Sequence, residues 1–210
     1  MQLPVETYMV DTMDATNVHL PPAVPTVQCG GNAQCCPTSC QGTGWTLACN
    51  AGTCEATVIA VLVAKVDLST DPTLARAKSV SDVTLKSIEY AICNNTLNVP
   101  VPQIEIWLAP ETVTKPDPAM GAKKIGTVPM VAPMQNLNCP ADLTHPDPSK
   151  FAKVMLEPDA ARTFLTFTQN VKTKFNAIAV GTLVERGGAP VPTGSMTVLL
   201  SGTADVSLSL

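Results

Sequence analysis

Residues 57–67, TVIAVLVAKVD, decide how the rest of the chain reads. Nearly every position is apolar, several are β-branched, and neither Gly nor Pro interrupts. Such a run fits a strand covered on both faces better than a one-sided strand that alternates. A central place in a sheet is expected for it. Its uncharged part, 58–64, is ended by Lys65 and falls well short of the ~20 residues that a membrane-spanning helix needs.

Toward the C-terminus the periodicity of two continues. Residues 79–93 alternate through Val83 and Leu85 and resume through Ile88, Tyr90 and Ile92, with a one-residue slip of phase at Lys86-Ser87 that predicts a bulge. Residues 103–109 place Ile104, Ile106 and Leu108 on one face and Glu105 and Trp107 on the other. Shorter strands are expected in 123–131, where Pro129 argues for an edge, and in 151–156. The set is completed by 173–184, then 195–200 and 203–210, the last alternating through Val206, Leu208 and Leu210. Gly187-Gly188, Pro190 and Pro192 mark a turn. Residues 159–169 read two ways: Asp159 after Pro158 is placed to cap a short helix, while 163–168 also alternate. No repeat of 20 to 50 residues is visible. About eight strands with regular turn signals predict an all-β domain over 55–210, a two-sheet sandwich of immunoglobulin-like or fibronectin-like architecture.

Toward the N-terminus the character changes. Residues 29–54, CGGNAQCCPTSCQGTGWTLACNAGTC, hold six of the eight cysteines: Cys29, Cys35, Cys36, Cys40, Cys49 and Cys54. Trp45 and Leu47 are the only sizeable apolar side chains there, so cross-links rather than burial must hold the segment, each bridge contributing about 3 kcal/mol in the chain-entropy model. The ending Cys49-Asn50-Ala51-Gly52-Thr53-Cys54 resembles the final hairpin of small knottin-like modules. That resemblance covers about an eighth of the chain. Knottins place the adjacent cysteine pair third and fourth, whereas Cys35 and Cys36 come second and third, and six cysteines allow about 15 pairings. Cys93 and Cys139 complete an even count and are expected to form a fourth bridge, with a link from one of them to the small module as the alternative.

Residues 1–28 are polar and dotted with proline, Pro21-Pro22 and Pro25 among them, and read as an extended tether. The competing reading makes Leu3, Val5, Thr7 and Met9 an alternating strand that pairs with a sheet edge in this molecule or in a neighbour. The start of the chain has neither the basic residues nor the apolar centre of a signal peptide. Clustered cysteines point to an oxidising compartment, and therefore to export, extracellular or at the cell surface, or in the periplasm or on the outer-membrane exterior if the source is bacterial. Membrane attachment would need a lipid.

Composition narrows the function. The chain is 45% hydrophobic but only 4% aromatic, so its core is aliphatic, and its 19 prolines favour many short strands. All 13 Lys and Arg lie at or after Lys65, while 1–64 hold only Glu6, Asp11, Asp14 and Glu55 of the 17 acids. The net charge of −4 therefore sits in the N-terminal part and the remainder is neutral, which lacks the basic footprint of a nucleic-acid or anionic-membrane binder.

Chemistry-bearing constellations are few. Cys36-x3-Cys40 and Cys49-x4-Cys54 come within zinc-ligand spacing, but three disulfides account for six cysteines more simply. Cys139-x5-His145 with Met155 follows the order of copper ligands in cupredoxins, yet a blue site needs two histidines and the other is His19. Met120, Met130 and Met134 could offer thioethers to a soft metal, although gap-filling is the commoner role of methionine. Hydrolysis would draw on His145 with Ser195 or Ser201 and Asp142 or Asp147, none of them in a nucleophile-elbow motif. Glu111, Asp117, Asp142 and Asp147 sit in turn-like segments where acids serve the backbone, and Asn94-Asn95-Thr96 matches a glycosylation acceptor. No catalytic residue, metal site or cofactor is assigned.

The general organisation resembles that of cysteine-rich secreted or lipid-anchored surface proteins. It implies a non-enzymatic protein of adhesion, binding or structural assembly, with a protein or cell-surface partner that includes a second copy of itself. Three alternatives stand beside it: a self-assembling subunit that adds its N-terminal stretch to a neighbour's sheet, a secreted knottin-like inhibitor, and a metal-binding protein holding Zn or Cu.

Overall fold

The apolar run falls almost wholly within one long strand. In the computed structural model, which describes residues 2–14, 45–50, 53–70, 79–143, 147–170, 173–186 and 192–209, it lies within β3 (Thr53–Val66). The other strands are β1 (Gln2–Asp14), β2 (Trp45–Asn50), β4 (Ser79–Cys93), β5 (Ile104–Pro110), β6 (Lys123–Val128), β7 (Ala152–Lys153), β8 (Met155–Leu156), β9 (Phe175–Arg186) and β10 (Ser195–Ser209). A single α-helix among the described residues, α1 (Ala160–Thr168), follows Asp159, so the ambiguous segment is helical. No helix among the described residues is long and apolar enough to cross a membrane.

All pairings are antiparallel. They build a four-stranded sheet in the order β1-β10-β4-β7 and a six-stranded sheet in the order β2-β3-β9-β5-β6-β8. The all-β two-sheet sandwich expected from the strand pattern is therefore what forms. Its wiring is not that of the immunoglobulin domain. With β2 and β8 set aside as additions, β1-β10-β4-β7 faces β3-β9-β5-β6, so the chain crosses repeatedly from sheet to sheet; this is the double Greek key of a jelly roll. Turn spacing counts strands but does not say which strands pair.

One aliphatic core fills the space between the sheets. Val58, Ala60 and Val66 of β3 and Ile104, Ile106 and Leu108 of β5 meet Leu85, Ile88, Tyr90 and Ile92 of β4 and Met196, Val198 and Leu200 of β10. The phase slip in β4 is a bulge: Thr203 pairs with Ser87 and Ala204 with Leu85, which leaves Lys86 as the extra residue and returns Leu85 to the inner face. Pro129 ends β6 rather than marking an edge, since β6 lies between β5 and the two-residue β8. The segment 151–156 divides between sheets, β7 pairing with β4 and β8 with β6.

Three expectations need correction, two of them boundaries. The tether over 1–28 does not begin at the N-terminus, because Gln2–Asp14 is a strand paired residue for residue with Ser207 to Ser195 of β10. The alternating reading of Leu3, Val5, Thr7 and Met9 holds, in this molecule. Pro4, which has no N–H to offer, is tolerated because β1 is an edge strand. Residues 15–28 lie outside the described residues. The module over 29–54 does not end apart from the sandwich: Trp45–Asn50 pairs with Thr53–Val58 and extends the six-stranded sheet, so the division at 54/55 falls inside a strand. Residues 29–44 lie outside the described residues.

The third correction concerns 57–67. β2 pairs with β3 only as far as Val58, and beyond it β3 has a ladder partner on one side alone, β9, among the described residues. Nor are both faces covered, since Ile59 is 55% and Val61 36% exposed.

Candidate interaction surface

Alternation along β3 sends Val58, Ala60 and Val66 into the core and Thr57, Ile59, Val61 and Val63 to the outer face of the six-stranded sheet. The strand register extends this face across the sheet. Ile59 stands opposite Thr182, Val61 opposite Val180 and Val63 opposite Ile178 of β9, which in turn lie opposite Glu105 and Trp107 of β5 in the last two rows. The face carries apolar residues on three strands, interrupted by Thr182 and Glu105, and its two halves differ.

Over β9 and β5, the chain between β5 and β6 folds back on the sheet. Val113 and Ala122 pack with Ala109, Ile178 and Val180, with Trp107 and Val63 at the margin. The side-chain amide of Asn176, almost fully buried, donates to the carbonyls of Glu111 and Val113, both at 2.9 Å, and so fixes the start of the covering loop to the sheet. Asp117 accepts from the N–H of Ala119 and caps a single 3-10 turn, Pro118–Met120, that Gly121 closes in the left-handed conformation. Lys124 lies between the carboxylates of Glu105 at 3.1 Å and Glu157 at 3.3 Å, and the bond to Glu105 above all raises its pKa. Glu105 also accepts from the Trp107 indole N–H at 3.1 Å.

Over β3 nothing among the described residues covers Ile59 and Val61. The strip they form is closed at each end by ion pairs. At one end Glu55, itself nearly buried, accepts from Arg186 Nε at 2.6 Å and from Asn50 Nδ2 at 2.9 Å. At the other, Lys65 pairs with Glu111 at 2.7 Å and Lys174 with Asp67 at 2.9 Å. The Ser69 hydroxyl first, and then Lys174, hold the Asp67 carboxyl below its ordinary range. An apolar centre with a polar rim is the anatomy of a protein-binding patch.

The residues singled out in the sequence distribute as follows. Cys93 and Cys139 are joined in a disulfide, so the fourth bridge forms between them. Cys54 is buried and disulfide-bonded, and Cys49 is its cross-strand partner in the β2–β3 register. Cys29, Cys35, Cys36 and Cys40 lie outside the described residues, as do His19 and His145. A sulfur in a disulfide supplies no thiolate, so Cys54 leaves the zinc spacing incomplete and Cys139 is lost to the copper order. Met120, Met130 and Met134 are exposed rather than filling gaps. Met120 and Met130 stand beyond opposite ends of β6, whose six residues span roughly 20 Å, too far for one ion.

Ser201 is sealed from solvent, Ser195 is part-exposed on the same strand, and His145, the base that either would need, lies outside the described residues. Asp147 bonds the hydroxyl and N–H of Ser149, a local turn role. Asn94 is exposed with φ of 50°, as an acceptor turn requires. Its neighbour Asn95 carries no signal that sequence alone would single out. It is buried, donates Nδ2 to the carbonyls of Ala132 and Gln135, accepts at Oδ1 from the Leu97 N–H, and donates its own backbone N–H to Asn136 Oδ1.

The fold and surface thus define a jelly-roll sandwich with an open apolar strip on its larger sheet. Known proteins add little to that class. No family model matches the chain, and no curated protein matches it. Among solved structures, that of the empty head of turnip yellow mosaic virus is similar at 11% identity, covering 99% of this chain and 83% of that chain, with a TM-score of 0.28. A value so low carries no argument about fold or function.

Proposed function

We propose that the protein is a non-enzymatic structural protein of an extracellular or cell-surface compartment that works by assembly, with a second copy of the chain as its partner. The observation that carries this reading is the bare apolar strip of β3, Ile59 and Val61, between its two ion-paired ends. Beyond Val58 the strand also keeps one side of its backbone without a ladder partner among the described residues, the kind of edge that templates pairing. Such an edge is self-complementary. An antiparallel pair of copies about a two-fold axis at Val61 sets Ile59 of each copy against Val63 of the other, on one face. The Cys93–Cys139 bridge supports the oxidising compartment.

Sedimentation velocity over a concentration series tests the reading. The natural chain is expected to associate with rising concentration, and Ile59→Lys to remain a monomer with an unchanged melting temperature. A natural chain that stays monomeric throughout removes the assembly reading.

A further inference from the structure

The sheets do not fill the space between them everywhere. Beneath α1 they leave a cavity of about 70 Å³ that is partly open to solvent. Its walls are Val66 of β3, Ile88 of β4, Ile106 of β5, Phe175 of β9, Leu200 of β10 and, from the helix, Phe164, and no charged side chain lines it. Ser201 adds only backbone. Leu200 and Ala204 face the inner core while Leu199 packs on the opposite face, so the alternation turns the Ser201 hydroxyl away from the cavity. The space is several times the roughly 10–15 Å³ that one water requires, and it offers water no side-chain partner.

Gly202 borders this space and shows why it exists. It lies in the interior of β10, where glycine weakens a strand and often marks a place that a ligand approaches. Gly121 and Gly194 have positive φ, and a Cβ on Gly126 would stand 2.6 Å from Val154 Cγ1, so each of these needs to be glycine. At Gly202 neither reason applies: a Cβ there would meet nothing within 4 Å. A side chain would fit, and the position leaves it out. Gly202 is also part-exposed, which puts it at the mouth.

We propose that the cavity is a binding site for the end of a single alkyl chain, its terminal carbons among the aliphatic walls and the rest of the chain with its polar end outside, beside Gly202. Apolar walls without a charge or a free hydroxyl select hydrocarbon, and a space this small and only partly open suits the end of an unbranched chain. The site is independent of the β3 strip and of assembly.

Titration calorimetry of the full chain with 1-octanol tests it. Saturable binding of one molecule per chain is expected, with a negative heat-capacity change. Gly202→Val fills the mouth and should weaken binding about tenfold or more while raising the melting temperature of the ligand-free protein. Ala177→Val, from the facing sheet, should weaken it likewise, and carries the comparison alone if the Gly202 variant does not fold. A natural chain that takes up no octanol overturns the proposal, as do folded variants that bind it as well as the natural chain.

Discussion

Ile178 and Ile59 are the same residue type on the same outer face of the same sheet, on adjacent strands, and they meet opposite fates. Ile178 is fully buried beneath the loop that leaves β5; Ile59 is more than half exposed. The sheet itself does not distinguish them. What distinguishes them is whether the chain spends residues on a cover and has a polar group to fasten it, and the Asn176 amide does that for one half only. An apolar residue on a strand is therefore no evidence of burial until the covering segment is found.

The sharpest way to break the comparison is to truncate both residues alike. Ile178→Ala is expected to cost about 2–5 kcal/mol in urea unfolding, as for other large-to-small changes in a closed core. Ile59→Ala should stay within about 0.5 kcal/mol, as surface changes do. Equal losses would show that the β3 half is also covered.

Releasing the cover without touching the residues beneath it should have a smaller effect. Asn176→Ala removes both bonds to the Glu111 and Val113 carbonyls and is expected to cost about 2 kcal/mol. It should also increase the binding of a hydrophobic dye, because Ile178 and Val180 join the exposed strip. Unchanged dye binding would mean that the packing of Val113 and Ala122 suffices to hold the loop.

The smallest effect concerns the rim. The folded-state pKa of Asp67 is lowered, so its contribution is present above the ordinary carboxylate value of 3.8 and is lost as pH falls through the lower, folded value. Asp67→Asn should lower stability slightly at neutral pH, slightly because the group is exposed, and the difference from the natural chain should vanish as pH falls through that window. A difference that persists undiminished in acid would contradict this origin.

Where a local pattern had only one structural meaning, the sequence was readable. The slip at Lys86-Ser87 could be nothing but an extra residue in a strand, and Ile104, Ile106 and Leu108 could share a face in only one way. The pairing of Cys93 with Cys139 followed from an even count. The run 57–67 misled because a continuous apolar strand reads the same whether its second face is covered or bare. β1 was visible only as the competing reading of Leu3, Val5, Thr7 and Met9, because an edge strand needs one backbone partner and little apolar patterning. The strip itself was legible as residues and illegible as a surface, because its exposure depends on where β2 stops. Asn95 escaped notice because asparagine in a turn is unremarked until its four bonds are seen.

Val154 has a consequence for how the molecule moves. It is the single residue between β7 in one sheet and β8 in the other, it is buried, and its N–H donates to the Ile88 carbonyl at 2.8 Å. The two sheets are thus joined by continuous backbone along this margin, whereas on the far margin β1 and β3 lie beside each other without a ladder between them among the described residues. Thermal breathing of the sandwich should then resemble the opening of a book with Val154 at its spine. The widest excursions would fall at the β1–β3 margin, beside the strip that β3 presents to a partner.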